Sequence, residues 1–390
     1  MQQVSTLRQA EIDEQIAAED LRQAETAFLP RARDSFSITY NSRSPGTPDP
    51  SFIAQNAIHE YQNLLGVTGD LNFGLRAAVR RARALMEAAR AGTEIARRAL
   101  IRGVNEAYYG AALATAKRRT AEQSLLAAQE FERVTDLNFR AGEVPEVDAI
   151  RARLQTAARR DDLAQAKQAE AIANATLGTL LGSGITNTPA IEPLPQTINV
   201  QEVEALTVTN VPHRPEFVQL EAQVRAAEAD IGVSRGEWLP RITYSVDTGF
   251  DTSSLTPDIL SQHRGILATA NVDIPIFDWG ATFSRMRQAQ LRARGARLQR
   301  ELTIRDLYLQ YATARQEAFT AAERVENAQR AVTDAERNVE ISIARYRAGE
   351  APIVEATDAL TTLATQRLAL QQALFDYQTA RVHLREAVGQ

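Results

Sequence analysis

The chain has 390 residues, of which 24% are charged, 44% are hydrophobic and 6% are aromatic. Such a low aromatic content is unusual for a globular enzyme and typical of alanine-rich packed helices. The net charge of -5 gives no polybasic signature, which argues against a nucleic-acid partner, and cysteine is absent, which excludes disulfides within the given sequence.

The chain opens with a predicted amphipathic helix over about residues 5–29. The segment 2–20 is polar and does not have the apolar centre of a signal peptide. No apolar run in the sequence approaches the roughly 20 residues that a membrane-spanning helix needs. We therefore expect that the chain is cytosolic or that its native start lies upstream of Met1.

Two predicted hairpins follow the opening helices of two similar halves of the chain. In each strand, apolar residues alternate with polar ones, which predicts one apolar and one hydrated face. In the first hairpin the apolar positions are Phe36, Ile38 and Tyr40, then Val67, Leu71, Phe73 and Leu75. In the second hairpin they are Ile242, Tyr244, Val246 and Phe250, then Ile266, Ala268, Ala270, Val272 and Ile274.

A very long helix is predicted after each hairpin, over about 76–140 and 281–347. At 1.5 Å per residue each is about 100 Å long, more than a globular core can use. The second carries a coiled-coil seam of small residues at alternating steps of four and three, which are Ala321, Val325, Ala328, Val332, Ala335 and Val339. Shorter helices over about 145–181 and 354–387 follow the two long ones, and another over about 214–238 opens the second half.

Two motifs recur at nearly constant separation and indicate a tandem duplication. FRAGEVP at 139–145 returns as YRAGEAP at 346–352, and FLPR at 28–31 returns as WLPR at 238–241. We predict a first structural repeat over 1–181, a linker or mid-body element over 182–213, and a second repeat over 214–390. Each repeat is predicted to contain a helix, a β-hairpin, a long helix, a tight turn and a helix.

Four amphipathic strands of about ten residues suit a tilted membrane strand, with lipid on one face and water on the other. The alternative is a half-buried sheet packed on a helix, but each hairpin adjoins a helix far longer than any sheet it could cover. A lipid-exposed open edge is forbidden, and four strands cannot close a barrel. The membrane interpretation therefore requires several chains.

The sequence DIPIFDWG at 273–280 resembles the strand-to-helix exit of TolC-family outer-membrane factors. The two turns resemble the helical tips of that family, and WLP at 238–240 resembles its helix-to-strand transition. The resemblance implies a mainly α fold with a membrane β-barrel portion: long antiparallel coiled-coil helices form an α-barrel, and four strands per chain contribute to a twelve-stranded barrel shared by a homotrimer. It further implies an outer-membrane location in contact with lipid, and a periplasmic extension. The expected function is a passive export duct of a tripartite efflux or type I secretion system.

The resemblance also implies functional residues at the two turns. The tips are expected to dock on a periplasmic adaptor protein, and through it on an inner-membrane pump; their residues are Arg140, Gly142, Glu143, Val144, Arg347, Gly349, Glu350 and Ala351. Glu355 and Asp358, three residues apart on one helical face, would form acidic rings at the periplasmic entrance. Asp148 and Tyr346 match positions that hold relatives closed by inter-helix hydrogen bonds. The alternative for Glu355 and Asp358 is a solvent-exposed acidic face near the start of a helix, where the helix dipole favours negative charge.

No residue pattern indicates an enzyme, a cofactor or a metal site. The four histidines are widely separated and lack metal-ligand spacing; they are His59, His213, His263 and His383. Gly-rich phosphate loops and nucleophile elbows are absent from the sequence. The alternative functions are a soluble coiled-coil scaffold or fibre, which leaves the amphipathic strands unexplained, and a helical enzyme, which has no catalytic constellation to support it.

Overall fold

The computed structural model describes residues 6–46, 57–182 and 191–390. In chain order its helices and strands are α1 (Thr6–Thr26), β1 (Arg31–Tyr40), β2 (His59–Leu71), α2 (Leu75–Arg140), α3 (Glu146–Leu180), α4 (Val200–Ala205), a 3-10 helix (Val208–His213), α5 (Pro215–Gly236), β3 (Arg241–Thr252), α6 (Pro257–Gln262), β4 (Arg264–Asp273), α7 (Ala281–Arg347) and α8 (Ile353–Ala387).

The two long helices occur within a residue or so of their predicted bounds, as α2 with 66 residues and α7 with 67. Small side chains on the predicted seam of α7 turn inward, with Ala321, Val325 and Ala335 buried. Alanine lets helix axes approach closely, and this explains why helices with so few aromatic residues can pack. None of the helices within the described ranges has a segment that is both long and apolar enough to cross a bilayer.

The described chain divides into two compact units, each assembled from separated stretches of sequence. We call them the helical unit (Met1–Arg8, Glu94–Phe217 and Thr303–Gln390) and the strand unit (Gln9–Thr93 and Val218–Leu302). Each takes residues from both halves of the sequence, because α2 and α7 each contribute to both units. The repeat boundaries at 181 and 213 stay a prediction about the duplication.

The core of the helical unit is formed where residues 191–214 pack against α2, α7 and α8. This segment buries four apolar side chains, Leu194, Val203, Leu206 and Val211. Two tyrosines fix its backbone: the Tyr311 hydroxyl donates a hydrogen bond to the Leu206 carbonyl at 3.0 Å, and the Asn199 N–H donates to the Tyr377 hydroxyl at 2.9 Å. Residues 191–213 of the predicted mid-body element are thus packed into this unit, and its residues 183–190 lie outside the described residues.

The strand unit contains one antiparallel sheet in the order β1-β2-β3-β4. β2 pairs with β1 from Arg31↔Thr68 to Tyr40↔His59, and β3 pairs with both β2 and β4. β1 and β4 each bond one neighbouring strand among the described residues, so both outer edges of the sheet are unpaired.

The register places the alternating apolar residues of all four strands on one face. This apolar face carries Phe36, Ile38, Tyr40, Tyr61, Leu65, Val67, Ile242, Tyr244, Val246, Phe250, Ile266, Ala268, Ala270 and Val272. It also carries Asp34 and Asn63, where the Asn63 amide donates to the Asp34 carboxylate at 3.0 Å, and Arg264 at the start of β4. The opposite, polar face carries Arg33, Ser35, Ser37, Thr39, Gln62, Thr68, Asp70, Thr243, Ser245, Asp247, Asp251, Thr269 and Asn271, together with the two leucines Leu64 and Leu267. Side chains on the apolar face are uncovered: Phe36 is 59% exposed and Ile266 is 76% exposed.

The predicted extent of the second strand was wrong at its C-terminal end. β2 ends at Leu71, so Phe73 lies in a turn and Leu75 begins α2. At this turn Gly74 and Gly236 approach so closely that a Cβ on Gly236 would lie 2.4 Å from the Gly74 backbone. An alternating pattern cannot detect such a turn, since it continues by chance into the helix. Ile274 likewise lies one residue beyond β4.

Candidate functional site

The first tip joins α2 to α3 through a left-handed glycine cap. Gly142 has φ +78°, and its N–H donates to the Phe139 carbonyl at 2.9 Å. The Glu143 N–H donates to the Asn138 carbonyl, also at 2.9 Å. These two bonds define the Schellman motif, which satisfies carbonyls at the end of a helix. Pro145 then precedes α3, with an extended backbone.

The second tip joins α7 to α8 with the same backbone. Gly349 has φ +74° and donates to the Tyr346 carbonyl at 3.0 Å, while Glu350 donates to the Arg345 carbonyl at 2.9 Å. Pro352 precedes α8. Residues with a side chain rarely adopt this φ, so the recurring glycine is explained by backbone geometry.

A small apolar core, which we call the tip core, holds the four helix ends together. It consists of buried side chains from α2, α3, α7 and α8, namely Phe131, Ala152, Tyr346, Ile353 and Ala356. The rings of Phe131 and Tyr346 lie 5.6 Å apart between centroids, tilted by 48°. Such a pair stabilises beyond its buried area, so the two tips form one packed structure.

The Tyr346 hydroxyl is buried in this core without a hydrogen-bond partner. Burial raises the pKa of Tyr346, and the negative charge of Asp148 raises it further. The nearby Thr135 hydroxyl lowers this pKa. The contact between the two hydroxyls does not have hydrogen-bond geometry, and the Thr135 hydroxyl donates instead to the Phe131 carbonyl at 2.9 Å. The structure therefore brings Asp148 near Tyr346 without forming a hydrogen bond between them.

The two predicted entrance acids have different surroundings. The Glu355 carboxylate forms an ion pair with Arg345 on α7, and its side chain is 34% exposed. Asp358 is exposed and pairs with no basic side chain within the described ranges. A cation beside Glu355 offsets its charge, so Asp358 is the uncompensated acid of the pair.

Most predicted docking residues lie on the surface of the tips. Gly142, Glu143, Gly349, Glu350 and Arg347 are exposed, and so is Arg140, whose guanidinium pairs with Asp136 at 2.6 Å. Val144 is half-buried against the tip core, and Ala351 is only 9% exposed. Contact with another protein at the tips would therefore fall mainly on the glycines, the glutamates and the two arginines.

Arg345 and Thr135 were not identified from the sequence. Arg345 and Glu355 lie five residues before and after Glu350, so a reversal of the chain at this turn brings them together. That symmetric spacing of opposite charges about the turn was the available signal. Thr135 carried no signal, because its place beside Tyr346 depends on the packing of α2 against α7.

The polar face of the sheet is crossed by charged and hydrogen-bonded pairs. Arg241 pairs with Asp70 across the β2–β3 ladder. Gln62 donates to the Asp251 carboxylate at 3.1 Å. Asp247 lies over Gly66, where an added Cβ would meet its carboxylate oxygen. These groups require a hydrated environment, in contrast to the apolar face.

No group of three or more metal-binding side chains is gathered in the parts of the chain that the structure describes. His383 contacts the Glu106 carboxylate at 2.7 Å, and the rings of His213 and His263 lie near carbonyls of their own helical turns.

The sequence matches the family model described as outer membrane efflux protein over residues 2–183 and 211–390. It is similar to the pyoverdine export outer membrane protein OpmQ of Pseudomonas aeruginosa, with 26% identity over 98% of this chain and 78% of that protein. It is also similar to the cation efflux system protein CusC of Escherichia coli, with 25% identity over 76% of this chain and 66% of that protein.

The fold is similar to that of solved outer-membrane channels. The outer membrane protein VceC of Vibrio cholerae superimposes with a TM-score of 0.86 at 21% identity, covering 99% of this chain and 93% of that one. The CmeC outer membrane channel of Campylobacter jejuni gives a TM-score of 0.85 at 20% identity, covering 98% and 82%. At such identities these likenesses concern the fold alone, and they agree with the predicted TolC-like class.

Proposed function

The chain belongs to the outer membrane efflux protein family and is the channel component of an efflux system, and from this premise we propose how it is assembled. Three copies form a homotrimer in which their strands close one twelve-stranded barrel. The long helices extend into the periplasm as a passive duct, and the tips dock on a periplasmic adaptor that connects to an inner-membrane pump.

The four-stranded sheet is the observation that carries this proposal. Its apolar face is exposed, and its outer strands β1 and β4 have unpaired edges. In lipid an unpaired strand edge costs several kcal/mol for each unsatisfied group, so both edges need partners. Identical chains supply them, because β4 of one copy can pair with β1 of the next. A soluble scaffold would leave the apolar face in water.

The polar face supports a water-filled interior. Arg33, Asp70, Asp247 and Arg241 project from it, and charged side chains would be costly against lipid. On the apolar face the charged residue away from the strand ends is Asp34, whose carboxylate accepts a hydrogen bond from Asn63. Barrel strands typically alternate in this way between a lipid-facing and a water-facing side.

The tips support the proposed docking and entrance. Glu143 and Glu350 are exposed at corresponding positions of two identical turns, so a threefold assembly would present six similar tips. Asp358, and to a smaller degree the compensated Glu355, would give the entrance a preference for cations.

The assembly is tested by measuring its mass in detergent and its conductance in planar bilayers. We expect three chains and a conducting pore. Phe36→Arg, on the apolar face, should abolish membrane assembly, since a basic residue facing mid-bilayer lipid costs about 2–4 kcal/mol. Ser37→Arg is the matched control on the polar face of the same strand, and it should keep the trimer and lower conductance. Equal effects of the two, or a monodisperse monomer in plain buffer, would sink the proposal.

Docking is tested separately with Glu143→Lys and Glu350→Lys. Both should reduce export several-fold in cells while leaving the trimer yield unchanged, because they alter only exposed charge. Export that survives these changes and bulky substitutions at Val144 and Ala351 would assign the tips a purely structural role.

A further inference from the structure

Two grooves lie on opposite sides of α5 where it meets α7 and the sheet. The first, which we call the polar groove, is lined by apolar residues together with four charged ones, Glu237, Arg241, Asp273 and Arg285. Its charges are matched: Arg285 pairs with Glu237 at 3.1 Å, and Arg241 pairs with Asp70. Arg241 and Asp273 belong to the polar face of the sheet, so this groove continues that face.

The second groove is mainly apolar and has a volume of about 220 Å³. It is lined by Ser234, Arg235, Trp238, Thr282, Phe283 and Met286. The Trp238 and Phe283 rings lie 5.1 Å apart between centroids and are 39% and 58% exposed. By the helical repeat of 3.6 residues, positions 234 and 235 lie on the side of α5 away from 233 and 236, which line the polar groove. The second groove therefore opens on the side of the apolar face.

Arg235 is the charged residue of this groove, and it has no carboxylate partner among the residues that the structure describes. Thr282, the neighbouring polar group, is already engaged, since its hydroxyl donates to the Asp278 carboxylate at 2.5 Å. Asp278 in turn accepts from the N–H groups of Gly280 and Thr282 at the start of α7. The Arg235 guanidinium is thus an unpaired cation, within the described residues, beside an exposed aromatic pair.

The position of the groove suggests what it binds. Trp238 lies three residues before Arg241, the first residue of β3, at the end of the sheet that carries the apolar face. Aromatic rings and basic side chains gather where membrane lipid meets water, because the rings tolerate both environments and the cations attract phosphate.

We propose that this groove binds a glycerophospholipid of the membrane leaflet facing the periplasm. The acyl chains and glycerol contact Trp238, Phe283 and Met286, and the phosphodiester accepts hydrogen bonds from the Arg235 guanidinium. The proposal rests on the membrane assignment of the sheet, and it adds a specific lipid contact to it.

The chain contains two tryptophans, so Trp279→Phe leaves Trp238 as the sole tryptophan, which is excited selectively at wavelengths that tyrosine does not absorb. This protein is titrated in detergent with phosphatidylglycerol carrying brominated acyl chains, which quench tryptophan on contact, and with brominated diacylglycerol, which lacks the phosphate. Half-quenching should need about fivefold less phosphatidylglycerol, corresponding to roughly 1 kcal/mol for one basic residue. Adding Arg235→Gln should abolish that difference.

Arg241→Gln is the control, since it removes a guanidinium of the polar face that pairs with Asp70 across the sheet and does not line the second groove. It should keep the fivefold preference. Equal quenching by both lipids, or a preference that survives Arg235→Gln, would overturn the lipid site. Native mass spectrometry of chains with Trp279 intact, comparing phosphatidylglycerol adducts on the two arginine variants, tests the same contact without the tryptophan substitution. The trimer mass reports on the proposed assembly independently, so a conducting trimer without the preference refutes the lipid site alone.

Discussion

The first tip, between α2 and α3, and the second, between α7 and α8, have the same two backbone hydrogen bonds around a left-handed glycine. Their side chains differ. At positions 207 residues apart, the second tip has Arg345 and Glu355, which pair, where the first has Asn138 and Asp148. Asp148 therefore has no arginine at the place where Glu355 has one.

The aromatic residues that follow Arg345 and Asn138 also differ between the tips. Tyr346 is 8% exposed in the tip core, whereas Phe139 at the corresponding place is 37% exposed. The comparison teaches that glycine and proline specify the turn through the backbone alone. The side chains around the turn were therefore free to diverge after the duplication, in charge and in packing.

The largest effect is expected from alanine at the tip glycines. Gly142→Ala and Gly349→Ala force a side chain into a left-handed backbone, which costs about 1–2 kcal/mol, and both should lower the thermal midpoint of the trimer. Gly103→Ala in α2 and Gly295→Ala in α7 are controls within the same helices, where an added Cβ meets nothing within 4 Å. Those two should stabilise by up to about 1 kcal/mol. Tips that respond unequally would break the shared-backbone account.

The next largest effect is expected from the arginine that pairs with an acid at the second tip and has no counterpart at the first. Arg345→Gln frees the Glu355 carboxylate, so the cation-to-anion permeability ratio should rise on the order of twofold. Asn138→Arg supplies Asp148 with a partner, and the ratio should fall. The measurement is the reversal potential across a salt gradient. The control is Arg337→Gln, which breaks an exposed pair with Glu340 earlier in α7. An unchanged reversal potential in both variants would place these acids away from the ion path.

A smaller effect is expected at the buried tyrosine. Tyr346→Phe removes a hydroxyl that has no hydrogen-bond partner and should raise the free energy of unfolding by about 1 kcal/mol. Burial raises the pKa of Tyr346 above 10.0, so the unfolded chain ionises first and stability falls as pH rises past that value. The variant should lose this contribution in thermal melts at alkaline pH, whereas Phe139→Tyr should change little. A destabilised Tyr346→Phe would mean that the hydroxyl is bonded in the assembled channel.

The smallest effect concerns an ion pair whose order is reversed between the repeats. Glu130 pairs with Arg133 at 2.7 Å, and the corresponding residues Arg337 and Glu340 pair at 2.9 Å. The Arg133 hydrogen bond lowers the pKa of Glu130 below 4.5. Its contribution to stability is therefore present above pH 4.5 and lost as pH falls. Glu130→Gln should flatten this part of the pH–stability curve slightly, and a steeper curve would contradict the assignment.

The sequence predicted those features that depend on local backbone chemistry or on a repeating period. Glycine followed by proline indicated both tips, and alternation indicated the two faces of the sheet. The ends of β2 and β4 were missed because alternation does not report where a strand stops, as at the turn that contains Gly74 after β2. The Arg345–Glu355 pair and the unbonded Tyr346 hydroxyl depend on how separate helices pack, which a single sequence does not encode locally. The roles of the entrance and docking residues stay predictions.

The closure of β4 against β1 of another copy is tested most directly by a cysteine scan, since the chain has no cysteine of its own. One cysteine replaces Ser35, Ser37 or Thr39 on β1, and a second replaces Leu267, Thr269 or Asn271 on β4, all on the polar face. Paired neighbouring strands bring Cα atoms to about 4.5–5.5 Å, within disulfide reach. We expect at least one combination to give a covalent trimer on a non-reducing gel, with the single variants failing to do so. Folded double variants that yield no covalent trimer in any combination would contradict the shared barrel.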